Sequence, residues 1–178
     1  MKKVLVLSSS PRKGGNSDLL CDAFAKGAKE AGHKVTKIRV ADKKIGYCMG
    51  CYSCQKTGKC AIQDDAKEVL DAMKDADVIV FASPVYFYSV CAQLKALIDR
   101  SVVYYPTITN KDYYFLMTMA EDDASMAEGT AKAMQGFLDC YEGSTLKGTL
   151  VASGVYEKGA IKETAFLDQA YKMGYEVK

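Results

Sequence analysis

The stretch Val4-Leu5-Val6-Leu7-Ser8-Ser9-Ser10-Pro11-Arg12-Lys13-Gly14-Gly15-Asn16-Ser17 decides the fold of this chain. Its apolar run is unbroken and too short for a helix, so it reads as a strand buried on both faces. Serines, a proline and two glycines then form a turn, and apolar residues return at helical spacing from Asn16 to Ala31. Asn16 or Ser17 can cap that helix, and Gly32 can end it. Strand, polar loop and amphipathic helix make half of a βαβ unit, the building block of a parallel sheet.

The alternation continues to the end of the chain. Val35–Val40, Val78–Ala82, Tyr113–Met119 and Thr149–Ala152 read as further strands, and Asp65–Asp75, Ser89–Arg100, Ser125–Tyr141 and Glu163–Tyr175 as further helices. Asp65 and Glu68 have the D-x-x-E spacing of a capping box. The expected architecture is a three-layer α/β/α sandwich of five parallel strands, one domain spanning residues 1–178. Two connections exceed the roughly 2–6 residues usual in such units, Ala41 to Asp64 and Ser101 to Asp112, which marks both for function or for contact with a partner.

Composition narrows the chemistry. With 178 residues and 49% hydrophobic content the chain can bury a full core, and it has no apolar run that would span a bilayer. Lys and Arg (24) nearly balance Asp and Glu (22), which argues against a dedicated nucleic-acid or membrane-surface binder. A single histidine, His33, weakens any His-centred metal site or Ser-His-Asp triad. The apolar run after Met1-Lys2-Lys3 is too short for a signal peptide, so a cytoplasmic chain is expected. In that compartment seven cysteines read as thiols, metal ligands or redox groups before disulfides.

The first loop has the parts of an anion site: hydroxyls, one of only three arginines in the chain, two glycines and a helix N-terminus. A phosphate monoester fits it best. Neither G-x-G-x-x-G nor G-x-x-x-x-G-K-[ST] occurs, so a pyrophosphate clasp and an NTP P-loop are not indicated. No cysteine is followed by C-x5-R spacing, which excludes a small tyrosine phosphatase.

After Val78–Ala82 comes Ser83-Pro84-Val85-Tyr86-Phe87-Tyr88-Ser89. All strands of a parallel sheet end at one edge, so this aromatic loop and the serine loop meet where the strand order reverses. One can hold a phosphate while the other lies against a flat ring. With S-S-P-R-K-G-G-N-S at 9–17, A-S-P-V-Y-F at 82–87 and L-K-A-L-I-D-R at 94–100, the chain resembles the NADPH-dependent FMN reductase and iron-sulfur flavoprotein group of flavodoxin-like proteins. The resemblance implies strand order 2-1-3-4-5 and one FMN per subunit. It assigns Ser10, Arg12, Asn16 and Ser17 to the FMN phosphate, and Pro84, Val85, Tyr86 and Phe87 to the border of the isoalloxazine. It leaves the loops after the fourth and fifth strands unassigned.

Cys48, Cys51, Cys54 and Cys60 form C-x2-C-x2-C-x5-C. Four thiolates this close suit a [4Fe-4S] cluster, and the spacing matches the compact motif of the iron-sulfur flavoproteins; zinc and free redox-active thiols are the alternatives. The loop leaves the second strand at the edge that carries the flavin site, where a cluster could exchange electrons with FMN or with the flavin of a neighbouring subunit. Cys21, Cys91 and Cys140 read as small buried helix residues. His33 reads as a helix-end residue, Asp64 and Asp65 as caps, and Asp99-Arg100 as a helix-end ion pair.

The expectation is an FMN-dependent oxidoreductase that takes electrons from NAD(P)H and passes them to flavin, quinone or another small acceptor. No catalytic acid or base is required of the protein. The alternative is an iron-sulfur flavoprotein that exchanges electrons with a ferredoxin-like carrier. The aromatic segment Val102-Val103-Tyr104-Tyr105-Pro106 points to a homodimer or homotetramer.

Overall fold

The computed structural model describes Met1–Lys178. In chain order the elements are β1 (Lys3–Ser8), α1 (Asn16–Glu30), β2 (Lys34–Arg39), α2 (Ser53–Thr57), α3 (Ala66–Asp75), β3 (Val78–Tyr86) and β4 (Ser89–Val90). They continue as α4 (Ala92–Arg100), β5 (Asp112–Thr118), α5 (Glu128–Leu138), β6 (Thr145–Ala152) and α6 (Phe166–Tyr175). Five strands run parallel in the order β2-β1-β3-β5-β6. Counted along the sheet, that is the expected 2-1-3-4-5 order of the flavodoxin-like class.

The continuous apolar runs are explained by the two faces they supply. Leu5, Leu7, Ile79, Phe81, Tyr113 and Phe115 pack on one face against Val69 and Leu70 of α3, Leu94 and Leu97 of α4 and Met134 of α5. Their neighbours Val4, Val6, Val78, Val80, Tyr114 and Leu116 pack on the other against Leu20 and Phe24 of α1 and Ala170 of α6. Alternate side chains point to opposite faces, so burial on both sides requires every position to be apolar. Helices α1 and α6 approach to backbone contact: a Cβ at Gly27 would lie 2.0 Å from the Tyr171 carbonyl oxygen, and one at Gly174 2.1 Å from that of Phe24. No helix is long and apolar enough to cross a membrane.

The sixth strand was not expected. Residues Ser89–Val90 had read as the start of a helix, but they fold back antiparallel on Val85–Tyr86, and α4 begins only after Cys91. Phe87 (φ 48°) and Tyr88 (φ 58°) form the two-residue turn, both in the left-handed region. Asn-Gly is the usual pair there, so the aromatic residues carried no turn signal. Strand β6 also begins earlier than expected, because Thr145–Gly148 is a half-exposed edge with a register shift opposite Tyr113 and Tyr114.

Capping differs from the sequence reading. Gly15 occupies the N-cap of α1 without a side-chain bond, while Gly32 (φ 87°) ends the helix as expected. The D-x-x-E box does not form: Asp65 accepts the Lys44 N–H and Glu68 pairs with Lys43. Asp64 caps α3 in its place, accepting the Ala66 N–H at 3.0 Å. Asp99 pairs with Lys95, leaving Arg100 to a different carboxylate. His33 ties the chain ends together: it accepts the Lys2 N–H at Nδ1, so Nε2 donates to the Val177 carbonyl.

Candidate functional site: a cleft at the switch point and a cysteine-lined cavity

At the carboxyl ends of β1, β3 and β5 lies a cleft of about 230 Å³. Ser10, Arg12, Asn16, Ser17, Pro84, Val85, Tyr86 and Phe87 all line it, so the tertiary fold brings all eight sequence-derived positions to one place. Thr118, Met119, Ala120, Val155 and Tyr156 complete the walls. Thr118 ends β5 and the other four come from the loops after β5 and β6; pairing of Pro84 with Thr118 puts it beside the aromatic loop. A threonine, a methionine, an alanine, a valine and a tyrosine outside any motif carried no signal by which to find them.

Hydrogen bonding sorts the roles of the first loop. Ser10 Oγ accepts the Arg12 N–H at 3.2 Å, and the Gly15 N–H closes the turn on the Arg12 carbonyl at 2.9 Å. A Cβ at Gly15 would meet Arg12 at 2.9 Å, so the tight turn requires glycine. Arg12 is exposed and donates from Nη1 to the Tyr156 carbonyl at 3.1 Å. Ser17 Oγ lies 2.7 Å from Thr118 Oγ1. Asn16 donates both amide hydrogens, to the Val155 and Glu157 carbonyls, and accepts the Gly159 and Ile161 N–H groups. Its side-chain amide is thereby fully engaged and holds the 155–161 segment against the cleft, while its backbone N–H, at the first position of α1, has no acceptor in the chain.

Asp18 supports the loop from below. It accepts the Ser8 hydroxyl and the Gly14 N–H, each at 2.8 Å, and pairs with Lys37 at 2.8 Å and Arg39 at 2.9 Å. Burial works to raise its pKa, but the bonds from Lys37, Gly14 and Ser8 prevail and hold the carboxyl well below its usual range. Arg39 also reaches the Ser10 carbonyl at 3.4 Å. The acid loop-holder was missed in the sequence because Asp18 looks like an ordinary first-turn acid.

The cysteine loop reaches a different part of the molecule. After β2 the chain passes Ile45 and Tyr47 along Ala92 and Ala96 of α4. Cys48, Cys51, Cys54 and Cys60 then line a cavity of about 120 Å³ with Ile62, Arg100 and Val102, at the C-terminal end of that helix. The cleft lies beyond the other end, and the two cavities share no residue. Gly50, Tyr52 and Gly58 take left-handed conformations that fold the loop around the short α2. Nowhere do three or more His, Cys, Asp or Glu side chains converge closely enough to ligate an ion, but the donor set is all thiol, as a cluster site requires. Of the other cysteines, Cys21 and Cys91 are buried as expected, Cys91 at the N-cap of α4; Cys140 is exposed, just past the end of α5.

A parallel sheet of this order with a phosphate-sized polar loop and an aromatic loop at its switch point defines a flavodoxin-like α/β protein. The chain belongs to the NADPH-dependent FMN reductase family, whose sequence profile matches residues 2–157. An iron-sulfur flavoprotein of Methanocaldococcus jannaschii is 48% identical over 99 residues, 56% of this chain and 51% of that protein. One from Archaeoglobus fulgidus is 41% identical over 113 residues, 62% of this chain and 51% of the relative. The chain thus spans about half the length of the curated relatives it matches. Among solved structures, the NAD(P)H:quinone oxidoreductase from Methanothermobacter marburgensis superposes with TM-score 0.79 at 16% identity, covering 99% of each chain. An azoreductase from Bacillus anthracis gives 0.77 at 21% identity, covering 99% of this chain and 100% of that one. At such identities the likeness is one of fold.

Proposed function

We propose that this chain is an FMN-dependent NAD(P)H oxidoreductase that passes electrons to flavin, quinone or another small acceptor. One observation carries the reading: the serine loop and the aromatic loop line a single cleft with room between them. FMN, when bound, supplies a ring that accepts a hydride from a nicotinamide and releases electrons singly or in pairs. The chain's own residues hold it. Arg12 and Ser10 present a guanidinium and a hydroxyl at the N-terminus of α1, where an anion is favoured, and Ser17 is the second residue of that helix. Pro84 and Val85 form a wall for a flat ring, and Tyr86 and Phe87 stand exposed at its edge. Asn16 positions the opposite wall. No Asp, Glu, His, Lys or Cys lines the cleft, so proton and electron chemistry falls to the cofactor pair. Purified, FMN-loaded protein should bleach at the flavin absorbance on anaerobic addition of NADPH or NADH; no bleaching with either overturns the reading.

The four cysteines around one cavity favour a second reading, an iron-sulfur flavoprotein that exchanges electrons with a ferredoxin-like carrier. The names of the relatives above support it. In that case Cys48, Cys51, Cys54 and Cys60 hold a [4Fe-4S] cluster that exchanges electrons with FMN or with the flavin of a neighbouring subunit. Iron and acid-labile sulfide near four per chain, falling in Cys60→Ser, are expected; iron-free protein after anaerobic preparation sinks it.

A further inference from the structure

Arg100 is 2% exposed, and a guanidinium so deeply buried requires partners. Nη1 donates to the Gly46 carbonyl at 2.8 Å and to Asp64 Oδ2 at 2.7 Å. Nη2 donates to the Ile62 carbonyl at 3.1 Å and to Asp64 Oδ1 at 3.0 Å. Asp64 Oδ2 in turn accepts the Gly46 N–H at 2.7 Å. Gly46 lies two residues before Cys48 and Ile62 two residues after Cys60. One planar fork thus ties both ends of the cysteine loop to each other and to α4. A Cβ at Gly46 would stand 3.3 Å from Asp64 Oδ2, which keeps that position small.

The fork leaves one donor over. Arg100 Nε is buried and has no acceptor in the protein, and Arg100 forms part of the wall of the cysteine cavity. A buried N–H without a partner is costly, and an acceptor inside the cavity removes that cost. Burial works to lower the Arg100 pKa, but Asp64 and the nearby Cys60 sulfur prevail and hold the guanidinium charged.

We propose that Arg100 is a positioning residue for the cysteine centre: it closes the loop at its base and donates Nε–H to sulfur in the cavity, setting the potential of the cluster held there. The proposal rests on the iron-sulfur reading above. A donor to sulfur stabilises the more negative, reduced form and so raises the potential.

The test compares wild type with Arg100→Lys and Arg100→Gln in the full chain, prepared anaerobically. Iron and sulfide content, the midpoint potential of the cluster and bound FMN are measured. Arg100→Lys keeps the charge toward Asp64 but loses the fork and Nε. It is expected to hold less iron, and the centre that does form should be harder to reduce by about tenfold in the one-electron equilibrium, ~59 mV. FMN content should match wild type and reports that the domain is folded if Arg100→Gln proves unstable. Full iron and wild-type potential in Arg100→Lys overturns the proposal. Reduced iron at an unchanged potential leaves only the clasp and overturns the donation to sulfur. Wild-type protein without iron overturns the cluster reading itself.

Discussion

Arg12 and Lys13 are adjacent cations in the same loop, and only Arg12 lines the cleft. A planar guanidinium beside a phosphate makes paired, charge-assisted bonds worth roughly 1.5–3 kcal/mol each. Arg12→Ala is therefore expected to weaken FMN binding at least tenfold, while Lys13→Ala changes it little; equal effects in a fluorescence titration would show that the phosphate contact is misplaced. Asp18 acts by structure. Because its pKa is depressed in the folded chain, the stabilisation it supplies is complete above the unfolded carboxylate value of about 3.9 and is lost as pH falls below it. Asp18→Asn should cost about 3 kcal/mol at pH 7, since Lys37 and Arg39 lose their shared counterion. Urea unfolding of both proteins should show the difference holding from pH 7 to about pH 4 and shrinking below it; a difference that stays constant down to about pH 2 would contradict the assignment.

At the scale of elements, the β3-β4 hairpin departs most from local preference. Two bulky aromatic residues in left-handed geometry cost on the order of 1–3 kcal/mol each, and such strain concentrates at ligand sites. Replacing Phe87-Tyr88 by Asn-Gly should raise the melting temperature by several degrees while loosening FMN retention. A double variant that is less stable than wild type would mean that the aromatic pair is packed for stability. The hairpin also shows why local reading failed at this point: the turn is imposed by the sheet on one side and α4 on the other, and no residue in it advertises a turn.

At the scale of the molecule, many of the exposed large apolar residues gather around the two sites. Tyr86, Phe87 and Tyr156 line the cleft, and Tyr47, Met49, Tyr52, Val102 and Tyr105 stand at or near the cysteine loop and the connection after α4. Apolar surface of this kind marks contacts, and we expect a homodimer or homotetramer in solution. Light scattering at micromolar concentration checks it, and a monomer contradicts it. Such pairing would also decide whether the cysteine centre of one copy faces the flavin of another.

The sequence alone determined the layered sheet, because strands buried on both faces leave unbroken apolar runs; its strand order and the eight cleft positions came from the resemblance of the loop motifs to the FMN reductase family. It also set the cysteine spacing. The tertiary structure decided what depends on distant partners. It set the Asn16 side-chain amide against four backbone groups from residues 155–161, making it a wall-holder of the cleft. It carried the cysteine loop along α4, away from the cleft. It also joined Arg100 to Gly46 and Ile62, 54 and 38 residues distant in the chain. Periodicity and motif spacing report on neighbours in sequence; which donor meets which acceptor is settled only when the layers pack.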